Sequence, residues 1–186
     1  SHERFAQRYE SDLAKGVGNF VSRVLAMAEK AERHSNPLAG GGESHVNTGS
    51  LAITRDDAKI QERVRETWQE YEESFDRTRP DEALDVSWRL ISFGDKYIEE
   101  NKPWTLAKDN QEEYTRVIGV LLELVRQVSV LLYPFMPETA EKIWRQLGVD
   151  AKHKELYLAT LKEWKAVPIV NVQRGVALFP LNSPKA

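Results

Sequence analysis

The residue types that could do chemistry are few, and their spacing argues against an active site. The imidazoles are His2, His34, His45 and His153. No two stand at i, i+4, and the chain has no cysteine to join them, so no metal site is expected. There is no Gly-x-Ser-x-Gly elbow and no thiol nucleophile. Carboxylates come as adjacent pairs: Glu72-Glu73, Glu99-Glu100 and Glu112-Glu113. Neighbours on a helix diverge by about 100°, so these pairs read as solvated helix faces rather than acid–base dyads. The run Gly40-Gly41-Gly42 is not followed by the Gly-Lys-Ser/Thr of a phosphate loop. No catalytic residue is assigned.

The elements around these residues are helical. Phe5, Tyr9, Leu13, Val17, Phe20, Val21 and Val24 recur at three- and four-residue steps and predict a first helix over about 3–34. Gly16 and Gly18 interrupt it at a cost of roughly 1 kcal/mol each, either for close packing or to leave room for a ligand. Residues 35–55, rich in Gly, Asn and Pro, read as a linker. Thr54 with Asp57 opens a second helix to about Asp76, burying Ile60, Val64, Trp68, Tyr71 and Phe75. Thr78 with Asp81 opens a third to about Lys102, burying Leu84, Trp88, Ile91 and Ile98, and Pro103 stops it. Asp109 with Glu112 opens the most apolar helix, to about Tyr133, which is expected at the centre. Pro137 starts a fifth helix that Gly148 ends. Beyond it, Leu156, Tyr157, Leu161 and Trp164 suggest a short helix or turn, and 168–180 an extended tail docked through Ile169, Val172, Leu178 and Phe179.

The expected fold is therefore all-α: an antiparallel bundle of about five helices over 1–148, with a C-terminal extension, 149–186, packed on it. One domain suits 186 residues. The lack of cysteine favours a cytosolic origin. No secretory leader is expected, and the longest apolar run, 117–136, is broken by Glu123 and Arg126, so no membrane span is expected either. A net charge of −3 argues against broad electrostatic capture of nucleic acid, which usually shows as a basic stripe. Any RNA contact must be local and rely on stacking and hydrogen bonds.

Four segments carry a family resemblance. They are Arg8–Arg23 (RYESDLAKGVGNFVSR), Lys96–Lys108 (KYIEENKPWTLAK), Leu131–Trp144 (LLYPFMPETAEKIW) and the ending Leu178-Phe179-Pro180. In this order they resemble the C-terminal, anticodon-binding part of methionyl-tRNA synthetases, a class I family. The proline-aromatic run recurs across related class I synthetases, whereas the Lys-Tyr-Ile to Ala-Lys segment singles out the methionyl branch.

The resemblance implies a helical bundle that reads the CAU anticodon. Its reading residues fall on Asn19, Arg23, Pro103 and Trp104, with Lys15 one turn before Asn19. The spacing makes physical sense. Asn19 and Arg23, at i, i+4, project from one face. An amide offers a donor and an acceptor to a base edge, and a guanidinium offers a planar fork. An indole displayed at a helix break can stack on an unpaired base. Lys96, Lys102 and Lys108 are candidates for phosphate contact. The chain departs from the family pattern at Lys15 and Asp95, where Asn is common, and at Pro180-Leu181-Asn182, where the family has Pro-Arg-Ile. The catalytic signatures H-I-G-H and K-M-S-K-S are missing. The chain is thus expected to carry no cofactor and no catalysis. The parent enzyme would ligate methionine to tRNA with ATP and magnesium. The expected partners are methionine-accepting tRNA, initiator and elongator, and the catalytic domain of the same parent chain. The competing readings are the equivalent domain of another class I synthetase, or a helical protein-interaction module.

Overall fold

The structure is a computed structural model that describes residues 9–35, 55–149, 161–165, 167, 169 and 172–180, and among these all regular structure is helical. A π-helical segment, Tyr9–Gly18, runs directly into α1, Asn19–Ser35. There follow α2 (Arg55–Asp76), α3 (Pro80–Asn101), α4 (Pro103–Asp109), α5 (Gln111–Leu132) and α6 (Pro137–Gln146). The linker expected between the first two helices lies outside the described residues, apart from its ends. So do the first residues of the chain and the element expected around Leu156 and Tyr157.

The apolar stripes become the core. Val17, Phe20, Val21 and Val24 of the first stripe are buried, as are Ile60, Val64, Trp68 and Tyr71 of the second. The most apolar helix, α5, occupies the centre and packs against α1, α3, α4 and α6. A helix that is apolar nearly all round has to be enclosed, and from Val120 to Leu132 every residue of α5 is buried. Trp144 donates to Ser129 Oγ at 2.6 Å, and Tyr71 donates to the Leu131 carbonyl at 2.8 Å, so both of these buried aromatic polar groups are satisfied. Burial pushes the Tyr71 hydroxyl up to about 12.

Several expectations need correction. The first stripe is not one α-helix: up to Gly18 the turns are π-type and wider, with glycines at 16 and 18 lowering the cost of leaving α register. A further helix, α4, follows Pro103 where only a stop was expected. The start of α5 is capped not by Asp109 but by Asn110, whose side chain accepts from the Glu113 amide at 3.1 Å. Arg79, not Thr78, precedes α3, and no side chain caps it. Phe75 is 41% exposed rather than buried, because it sits on the last turn of α2, beyond the core, edge-on to Tyr71 and 6.1 Å from the Phe135 ring. Gly148 takes the left-handed cap conformation, φ 70°, that the sequence calls for.

The carboxylates are not all solvated. Glu123 is fully buried and receives both prongs of the Arg126 guanidinium, at 2.7 and 2.6 Å. It also accepts from Gln127 Nε2 at 2.7 Å and from the Lys165 amide at 3.1 Å. Burial pushes its carboxyl above the ordinary range, and these donors pull the other way. Gln127 in turn accepts from Trp68 Nε1 at 2.7 Å. Arg126 donates onward to the Leu161 and Glu163 carbonyls, at 2.8 and 2.6 Å. The network thus grips the backbone of residues 161–165 and holds it across α5.

Candidate nucleic-acid interface

The candidate surface forms where the start of α1 meets the end of α3. Gly94, on α3, has no room for a methyl group because the Phe20 ring fills that space. The close approach of backbone and ring draws the two helices together. One turn beyond Asn19, Arg23 then reaches across the seam. Its Nη1 donates to Asp95 Oδ1 at 3.0 Å and its Nη2 to Glu99 Oε1 at 2.7 Å. Two of the five guanidinium donors are used in this way. The Arg23 side chain keeps 34% of its surface exposed, so the fork is oriented without being enclosed. Burial raises the Asp95 carboxyl above the ordinary carboxylate range. The Arg23 charge pulls it down, the Glu99 charge adds to the rise, and burial dominates.

Glu99 lies five residues before Trp104, across a sharp break in the chain. Lys102 ends α3, its amide donating to the Ile98 carbonyl at 3.0 Å. It also starts α4, its carbonyl accepting from the Thr105 amide at 2.8 Å. One residue serves both helices by adopting a left-handed conformation, φ 45° and ψ 59°. That departs from the extended geometry usual before proline. Pro103 is buried at the first position of α4, where its lack of an amide proton costs nothing. Trp104 follows and is 50% exposed, one of three large exposed hydrophobic residues among those described. A half-exposed indole directly after a buried proline offers a surface for a planar apolar group.

Asn19 is exposed at the first position of α1, and Lys15 is exposed on the π segment before it. Lys96, Lys102 and Lys108 are exposed around the α3–α4 break, Lys96 with Glu100 at 3.6 Å. The other tryptophans are packing residues. Trp68 and Trp144 are buried, and Trp88 and Trp164 lie against the core. Asp95 and Glu99, which orient Arg23, were not picked out as its partners from the sequence. They lie 72 and 76 residues away along the chain, and only the substitution of Asp for a common Asn at 95 drew attention to the position. Among the described residues no group of histidines and carboxylates could hold a metal ion.

The chain resembles known proteins over nearly all its length. It is 36% identical to the methionine–tRNA ligase of Halalkalibacterium halodurans over 96% of its residues, and 33% identical to that of Bacillus subtilis over the same share. It spans about a quarter of those relatives, 26% of each. The apo methionyl-tRNA synthetase of Mycobacterium tuberculosis superimposes on 99% of the chain with a TM-score of 0.72 and 26% identity, and the match takes up 35% of that structure. A family model described as the anticodon-binding domain of tRNA ligase matches residues 57–175, the stretch holding α3, Trp104, the central helix and residues 161–165 held across it. This chain belongs to the anticodon-binding domain family of tRNA ligases.

Proposed function

We propose that this chain is the anticodon-binding part of a methionine–tRNA ligase and that it reads the CAU anticodon of methionine-accepting tRNA, initiator and elongator, in the cytoplasm. The observation that carries the reading is the half-exposed Trp104 indole, set at a helix break five residues after Glu99, a partner of Arg23. An unpaired anticodon base stacks on the indole, while Asn19 and Arg23 hydrogen-bond to base edges. Pro103 fixes the indole's base. Lys15 and the lysines around the break meet phosphates. Stacking supplies about 1–3 kcal/mol per base. With a net charge of −3, and with Asp95 and Glu99 beside the site, phosphate attraction is weak and selectivity rests on the bases.

In the parent enzyme a catalytic half, outside this chain, activates methionine with ATP and magnesium and transfers it to the tRNA. The chain's own contribution is to hold the far end of that tRNA and reject other anticodons.

Fluorescence anisotropy with labelled anticodon stem-loop RNAs tests this reading. The CAU loop should bind at least about tenfold more tightly than loops altered at one anticodon base. Preference for a different anticodon would assign the chain to another class I synthetase. Failure to bind any loop, at low as well as high salt, would favour a protein-interaction role.

A further inference from the structure

Residues 172–180 form an irregular strap that lies against α1 and the end of α6. The Gln173 amide donates to the Gln146 carbonyl at 2.9 Å, and the Arg174 amide donates to Glu29 Oε1 at 2.9 Å. Further on, Gln146 Nε2 donates to the Val176 carbonyl at 3.3 Å. The strap then reaches Gly18, where a methyl group would lie 3.2 Å from Phe179 Cδ2 and 3.2 Å from the Leu13 carbonyl oxygen. The Phe179 ring therefore lies directly on the helix backbone at Gly18. The strap thus runs antiparallel to α1 between these two contacts, bending at Val176, Leu178 and Phe179.

Gly18 is the last residue of the π segment, and Asn19 is the first of α1. The change from π to α register falls at the peptide under the Phe179 ring. A π-to-α junction that shifts by one residue changes the rotation at that residue from about 80° to about 100° and so turns every later side chain by about 20°, which would swing the polar ends of Asn19 and Arg23 out of place relative to α3. Glycine sets no conformation of its own, so the register at this point depends on what packs against it.

We propose that Phe179 is a positioning residue for anticodon reading: seated on Gly18, it fixes the register in which α1 presents Asn19 and Arg23. This rests on the function proposed above and deepens it. It makes the strap part of the site although no strap residue need touch RNA. It also gives the glycine at 18 a reason, since a side chain there would crowd the ring.

The test is a binding comparison on the whole chain, with a CAU stem-loop and a stem-loop changed at one anticodon base as probes. Phe179→Ala should lower the ratio of the two affinities by about fivefold, with helical circular dichroism unchanged, and Phe179→Leu should restore most of it. Gly18→Ala, whose methyl would crowd both the Phe179 ring and the Leu13 carbonyl at 3.2 Å, should lower the ratio similarly without changing the strap's own residues. Combined with Asn19→Ala, Phe179→Ala should add little, because both remove the same contact. The proposal is overturned if Asn19→Ala lowers the ratio while Phe179→Ala and Gly18→Ala leave it intact. Fully additive effects of Phe179→Ala and Asn19→Ala would overturn it as well. Should Asn19→Ala itself leave the ratio unchanged, the role assigned to Asn19 fails, and the strap proposal falls with it.

Discussion

The Phe20 ring lies against the backbone of Gly94, occupying the space where any other residue would place its Cβ. That contact sets the separation of α1 and α3, and with it the reach of Arg23 to Asp95 and Glu99. Gly94→Ala should therefore cost about 1–3 kcal/mol, the usual penalty for forcing a methyl into a packed core. It should also weaken RNA binding by spreading the seam. Urea denaturation measures the first effect, and a stem-loop titration of the folded variant measures the second.

Arg23→Lys keeps the charge but removes the planar fork that spans Asp95 and Glu99. Discrimination among anticodon loops should fall by about tenfold while overall stability barely changes, since partly exposed ion pairs contribute at most about 1 kcal/mol. A variant that discriminates as well as the parent chain would mean that the guanidinium does not read a base.

Lys102 has a left-handed backbone that β-carbons disfavour. Lys102→Gly should relieve strain of about 1–2 kcal/mol, partly offset by the extra freedom glycine gives the unfolded chain, and so raise Tm modestly. Lys102→Val should lower it, because a branched Cβ tolerates this conformation poorly. Thermal melts of the two variants should move in opposite directions.

Glu123→Gln should be among the most damaging single changes. It leaves the Arg126 guanidinium, nearly enclosed, without its counter-charge and loosens the hold on residues 161–165. Breaking a buried pair in this way costs about 3–5 kcal/mol, a fall in Tm of about 10 °C for a chain of this size. Calorimetry would show it. A loss below about 1 kcal/mol would mean that water already relaxes the network.

Asp95 predicts a pH effect. Its raised carboxyl binds a proton more tightly in the folded chain than in the unfolded one. The resulting stabilisation is full below the unfolded value of about 3.9 and is lost as pH rises through the higher folded value. Asp95→Asn cannot ionise and should lack that loss. From about pH 4 to about pH 6.5, its unfolding free energy relative to the parent chain should rise. A relative fall would show that the Arg23 attraction outweighs burial.

Much of the fold could be read along the chain because its signals are local. The apolar stripes, Pro137 at a helix start and Gly148 at a helix end each act within a turn or two. The π register could not be read, since Val17 inside the π segment and Phe20 in α1 are both buried and a short apolar stripe does not tell the two registers apart. The helix α4 has seven residues and too few apolar positions to show a stripe. In the site, Asn19, Arg23 and Trp104 stood out by motif, whereas the carboxylates that orient Arg23 come from a distant helix. The spacing Glu123, Arg126, Gln127 within an apolar run was a local sign of a buried network. Three polar residues on one face of a central helix have to satisfy one another.

The most direct test is to replace the indole. Trp104→Ala removes a half-exposed side chain and should leave the fold intact, while lowering affinity for the CAU stem-loop by about tenfold or more and erasing its preference over a loop changed at the first anticodon base. An unchanged preference in that titration would contradict the account.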